Sequence, residues 1–184
     1  MLLMICIFYV VVTLLAFLLY RKKKIISLIL FSIPMFTILL IGGWWIYESN
    51  YQFISNTDLS QEQLGMLTLN QPIEELEDYK DPTLTPVENV YYPIFVRSSQ
   101  LMLGANEDGL LEYVRTSSTN KPTNKEINVT QTLHKVIETY GKSYYSNKEM
   151  GMGQYIGYVD RKNKRELRFW HEDGIVTEIE YKHL

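Results

Sequence analysis

Two acidic pairs, Glu107-Asp108 and Glu172-Asp173, each lead into a glycine, Gly109 and Gly174. Paired carboxylates are the tools of acid–base work on a glycosidic bond, so these four are the candidates for chemistry on a wall polymer. Their setting also has a plainer explanation, because tight turns favour Asp and Gly. A further acidic group, Glu74, Glu75, Glu77 and Asp78, reads as the solvated face of a helix. His134, His171 and His183 are scattered along the sequence and form no metal-binding motif. No serine-nucleophile elbow, phosphate loop, HExxH, CxxC pair or calcium loop occurs. The residues therefore predict no catalytic group, no metal ligand and no cofactor.

Aromatic residues are the other chemical signal. The chain has 14 Tyr. Tyr140, and one of Tyr155 or Tyr158, are expected in the core. Tyr144 and Tyr145 precede a run with Met150 and Met152 set between glycines. Aromatic rings and flexible methionines suit adaptable protein contacts, so these four are the candidate partner-binding residues.

The elements that position them begin with two apolar runs, residues 1–20 and 25–46, which hold no charged side chain. Each has about the 20 residues that a helix needs to cross a bilayer. Between them lie Arg21, Lys22, Lys23 and Lys24, and such a cationic turn stays in the cytoplasm. The sequence predicts a two-pass hairpin in the cell membrane, both termini outside, with an extracytoplasmic domain after it. Trp44, Trp45 and Tyr47 are expected at the lipid–water interface. The spans contain no ionisable residue, which argues for an anchor rather than a transport path.

Outside the spans and turn there are 14 Lys and Arg against 21 Asp and Glu, a net charge of -7. That sign excludes a nucleic-acid partner, which needs a basic footprint. Cys6, the one cysteine, lies in the first span, so the outer domain has no disulfide. Disulfide-free outer domains suit a bacterial cell envelope.

Residues 47–63 read as a polar linker. Residues 64–184 read as an α+β domain built from two units, about 64–117 and 126–184. In the first, Asn70 and Pro72 start a helix carrying Ile73, Leu76 and Tyr79, and three strands follow over 90–97, 100–103 and 110–116. In the second, Asn128 or Thr130 starts a helix carrying Leu133, Val136, Ile137 and Tyr140, which Gly141 stops. A loop over 142–153 leads to strands 154–160, 165–170 and 175–181. The letters repeat as well: Leu76 to Tyr79 parallels Ile137 to Tyr140, and Glu107 to Leu111 parallels Glu172 to Val176. Each unit is predicted to be one helix and three antiparallel strands, the pair sharing one core.

Val129-Thr130, Val136, Tyr140-Gly141-Lys142, Leu167-Arg168-Phe169 and Asp173 to Val176 resemble the small modules of the β-lactamase-inhibitor-like and outer-membrane-assembly lipoprotein (SmpA/OmlA) group. The resemblance covers residues 127–182 well and 66–116 poorly. It implies helix-plus-sheet units that bind proteins. The chain departs from that group in having a two-span anchor instead of a lipidated cysteine. The expected function is a membrane-anchored, non-enzymatic module that binds an envelope or membrane protein. The alternatives are a carboxylate-based wall-modifying enzyme and an immunity-type protein.

Overall fold

The computed structural model describes residues 2–48, 50–151 and 153–184, with side chains placed for 9–44, 46, 51–151 and 153–184. The chain forms two compact units, Met1–Asn50 and Tyr51–Leu184.

The first unit is a pair of helices, α1 (Leu2–Leu19) and α2 (Lys24–Glu48). Tyr9 Oη donates to Thr37 Oγ1 at 3.0 Å, and Ser27 Oγ donates to the Ala16 carbonyl at 2.6 Å. The contacts run in opposite directions along the two helices, so they are antiparallel neighbours. Ala16 and Ser27 are fully buried at the crossing, where small side chains let the backbones approach. Arg21, Lys22 and Lys23 form the turn and Lys24 begins α2; all four are exposed. One stretch, Lys24–Trp44, is long and apolar enough to cross a membrane. In α1 the apolar stretch among the described side chains is Tyr9–Leu19. Among the described residues, one candidate span therefore stands where the sequence predicts two.

The second unit is α+β. After a short helix, α3 (Asn50–Phe53), come β1 (Thr85–Pro86), β2 (Ile94–Arg97), β3 (Leu101–Ala105) and β4 (Leu111–Thr116). Then follow α4 (Leu133–Tyr140), β5 (Tyr145–Glu149), β6 (Gly153–Asp160), β7 (Arg165–Glu172) and β8 (Ile175–His183). The strands make one eight-stranded antiparallel sheet in the order β1-β2-β3-β4-β8-β7-β6-β5. Two four-strand meanders thus meet at a β4–β8 seam, where Tyr113 faces Lys182 and Thr116 faces Ile179.

The halves match in their hydrogen bonds too. Asn70 and Ile73 N–H donate to the carbonyls of Leu111 and Gly109, and Leu111 N–H returns to Gln71. Thr130 and Leu133 N–H donate to Val176 and Gly174 in the same way, and Val176 N–H returns to Gln131. Asn70 and Thr130 both hold the left-handed region, at φ 70° and 75°. Gly109 and Gly174 occupy matching hairpins.

One face of the sheet carries the main core. Leu103, Val114, Tyr158, Leu167, Phe169, Ile179 and Tyr181 point into it from the strands. Leu59, Leu64, Leu67, Ile73, Ile127, Val136 and Tyr140 cover them from segments crossing that face.

Three expectations are corrected. The helix predicted over 72–79 is two 3-10 turns, Ile73–Glu75 and Asp78–Lys80, with Leu76 extended between them. Pro72 supplies no capping side chain, whereas Thr132 Oγ1 accepts the Lys135 N–H and starts α4. The residues 47–63 are no free linker beyond Tyr51, because Leu59 and Glu62 are buried in the domain. The loop over 142–153 is largely strand β5 and its hairpin to β6, and with β1 added to the first half each half has four strands rather than three.

Candidate functional site

Strand residues alternate between two faces, so burying one set commits the other. On β7, Leu167 and Phe169 enter the core, which puts Glu166, Arg168 and Trp170 on the second face. On β8 the same alternation places Glu178, Glu180 and Lys182 there; on β4 it places Tyr113 and Arg115 there. Tyr155 on β6 joins them, with Tyr145, Asn147 and Glu149 on β5.

These side chains form a continuous network. Arg168 reaches Glu166 at 3.0 Å, Glu180 at 3.4 Å and Glu149 at 3.5 Å. Lys182 joins Glu180 at 3.0 Å and Glu166 at 3.5 Å. Arg115 pairs with Glu178 and lies 4.6 Å over the Trp170 ring. Trp170 Nε1 donates to Glu180 Oε2 at 3.2 Å, and Tyr145 Oη donates to Glu166 Oε1. Arg168 sits 4.6 Å over Tyr155, which packs on Trp170 with ring centroids 4.6 Å apart. Glu166 and Glu180 are only 2% and 3% exposed. Burial of a charge demands such partners.

The electrostatics follow from this packing. Burial pushes the Tyr145 phenol up, and the neighbouring Glu166 carboxylate pushes it further. Burial opposes the charge on Arg168, but Glu166 outweighs it with help from Tyr145 and Glu180, so its pKa is raised. The oxygens of Glu166 and Glu180 are each taken up by a cation, a phenol or an indole. Such a set clamps the sheet.

Towards β2 the face becomes aromatic. Tyr92 lies against Phe95 and Tyr113, with centroids 6.2 and 5.2 Å away. A Cβ on Gly104 would come 2.7 Å from the Tyr92 ring, so glycine is what admits that ring. Burial, aided by Glu180, pushes the Tyr92 phenol up to about 12. Tyr92, Phe95 and Tyr113 are half-buried, while Val90 and Tyr91 beside them are exposed. At the opposite end, Tyr51 packs edge-on against Tyr145 at 5.2 Å.

The predicted partner-binding residues do not assemble. Tyr145 is 4% exposed and belongs to the network just described. Tyr144 turns to the other face, where its ring meets Tyr158 edge-on at 6.2 Å. Met150, 99% exposed, sits in the β5–β6 hairpin. Met152 lies outside the described residues. Of Trp45 and Tyr47 only the backbone, in α2, is described; the Trp44 side chain is 71% exposed.

Nor do the acidic pairs meet. Glu107-Asp108 turns β3 into β4 and Glu172-Asp173 turns β7 into β8. Because β4 and β8 are antiparallel, the two turns lie at opposite ends of the sheet, about 30 Å apart along β8. Glu75, Glu77 and Asp78 line a groove of about 620 Å³ with Leu67, Leu76 and Lys121, and Lys121 pairs with Asp78 at 2.6 Å. His134 meets Glu138 on α4, and His183 bridges the Lys164 carbonyl and Asn70. Among the described residues no group of three His, Cys, Asp or Glu could hold a metal ion.

Sequence reading missed the second face. The signal was there in period two: Tyr113 with Arg115, Glu166 with Arg168 and Trp170, and Glu178 with Glu180 and Lys182.

No family model matches the chain, and no curated protein matches it. Among solved structures, it is similar to a DUF4309 family protein (YjgB) from Bacillus subtilis, at 16% identity and a TM-score of 0.47. The match covers 76% of this chain and 93% of that one.

Proposed function

We propose that this chain is a membrane-anchored module whose α+β domain binds another protein outside the cell membrane. The observation that carries the reading is the β2 end of the second sheet face, where half-buried Tyr92, Phe95 and Tyr113 lie beside exposed Val90 and Tyr91 in one aromatic surface. Tyr, Trp and Arg are the residues that dominate protein-binding hot spots. The salt-bridge network holds that surface rigid before any partner arrives, which lowers the cost of binding. The resemblance of residues 127–182 to protein-binding modules supports the same reading.

The anchor in this proposal is a two-pass hairpin of α1 and α2, with Arg21 to Lys24 in the cytoplasm. Its support is the antiparallel helix pair, the apolar outer surface of α2 and the cationic turn.

A photo-crosslinking amino acid placed at Tyr113 or Phe95 tests the proposal in intact cells. A discrete protein adduct is expected from these positions and not from His134, on the opposite side of the sheet. The same adducts from all three positions, or none from Tyr113 and Phe95, would contradict a binding role for this face.

A further inference from the structure

The two ends of the sheet differ. β1 is two residues long and contains Pro86, which has no N–H to give a further strand. β5, the matching strand of the other half, is five residues long without proline. Among the described residues no strand pairs with its outer edge. An open edge is a row of backbone donors and acceptors, and the group that satisfies it is another strand.

The direction of those groups can be read. Lys148 N–H donates to the Asn147 side-chain oxygen at 2.7 Å, so it is held by a neighbouring side chain and not by β6. Alternation then points the Ser146 and Lys148 backbone groups outward. In an antiparallel self-pairing centred on Asn147, Ser146 of one copy faces Lys148 of the other. Asn147 faces Asn147, and Tyr145 faces Glu149. No like charges meet, and the Ser146–Lys148 pairs make about four backbone hydrogen bonds, two of which replace the Lys148 N–H bond to the Asn147 side chain in each copy.

We propose that the outer edge of β5 pairs antiparallel with β5 of a second copy of this chain, centred on Asn147. The proposal is independent of the partner-binding reading above, because it uses an edge of the sheet and not its second face. The interface is small, so confinement of both copies to one membrane supplies the effective concentration it needs.

The test uses the full chain in liposomes, with Cys6→Ser as background. Facing Asn147 positions put the two Cα atoms about 4.5 Å apart, within disulfide range. Under mild oxidation Asn147→Cys should give covalent dimer at least about fivefold above Lys162→Cys in the β6–β7 turn. Adding Lys148→Pro removes an outward donor while sparing the β6 ladder, and should return the yield to the control level. Ser146→Pro does the same by the other outward donor, should Lys148→Pro alter the circular dichroism. Equal yields from positions 147 and 162, no dimer, or dimer indifferent to both prolines would overturn the proposal.

Discussion

Asp160 is fully buried, and its carboxylate does the work of a small hub. It accepts Leu59 N–H at 2.9 Å, Asn163 Nδ2 at 2.7 Å and Asn56 Nδ2 at 3.3 Å. Burial pushes its pKa up, but the Asn163, Leu59 and Asn56 donors more than offset that, and the value falls from 3.8 to about 2. A carboxyl depressed in the folded state stabilises it above the unfolded value, and that contribution fades as pH falls from about 4 towards 2. Thermal melts between pH 5 and 2.5 should show this loss, and Asp160→Asn should flatten it. Arg168 is the hub of the second face. Arg168→Ala would leave Glu166 and Glu180 buried with fewer partners, so a loss of about 3 kcal/mol is expected by chemical denaturation. On the core face, Tyr140 Oη donates to buried Glu62 at 2.8 Å, and its ring packs on Tyr158 and Phe169. Tyr140→Ala should cost about 3 to 5 kcal/mol in the same measurement.

At the scale of elements, capping separates the two halves. Thr132 starts α4 with its hydroxyl and Gly141 ends it at φ 92°, while the stretch after Pro72 has no such cap and stays in 3-10 turns. Thr132→Ala should cost about 1 kcal/mol by denaturation, the usual worth of an N-cap. Within the strands, glycine is required by close approach instead. A Cβ on Gly157 would come 2.3 Å from the Tyr145 ring, so Gly157→Ala must displace that ring from Glu166 and Arg168. A loss of about 2 kcal/mol or more is expected, with recovery in Gly157→Ala/Tyr145→Ala if the ring is the obstacle. What was legible here followed local chemistry. α4 showed its helical period and its glycine stop, and β2–β4 and β6–β8 showed their turns. β5 was hidden because Tyr145 to Glu149 is polar at an edge, where only alternate side chains need be apolar. Leu59 and Glu62 were hidden because a polar segment strapped down by distant residues carries no periodicity.

For the whole molecule, two meanders that share a β4–β8 seam and one main core should melt together. The domain from Tyr51 to Leu184, freed of the helices, is expected to unfold in one cooperative step by calorimetry. Two separate transitions would show that the halves are independent. The letter correspondence between Glu107 to Leu111 and Glu172 to Val176 was visible because hairpins constrain sequence tightly. The matching bonds at Asn70 and Thr130 were not, since left-handed backbone at a non-glycine residue leaves little trace in composition. The second face escaped sequence reading for a related reason: its residues are consecutive only across strands, and pairing order must be known first.

In the proposed reading this domain stands outside a membrane that the N-terminal helices cross. Single cysteines in a Cys6→Ser chain test it, one at Lys22 in the α1–α2 turn and one at Thr119 in the exposed connection before α4. In intact cells a membrane-impermeant thiol reagent should label Thr119→Cys and spare Lys22→Cys until the membrane is opened. Labelling of Lys22→Cys with protection of Thr119→Cys, or labelling of neither before permeabilisation, would contradict the account.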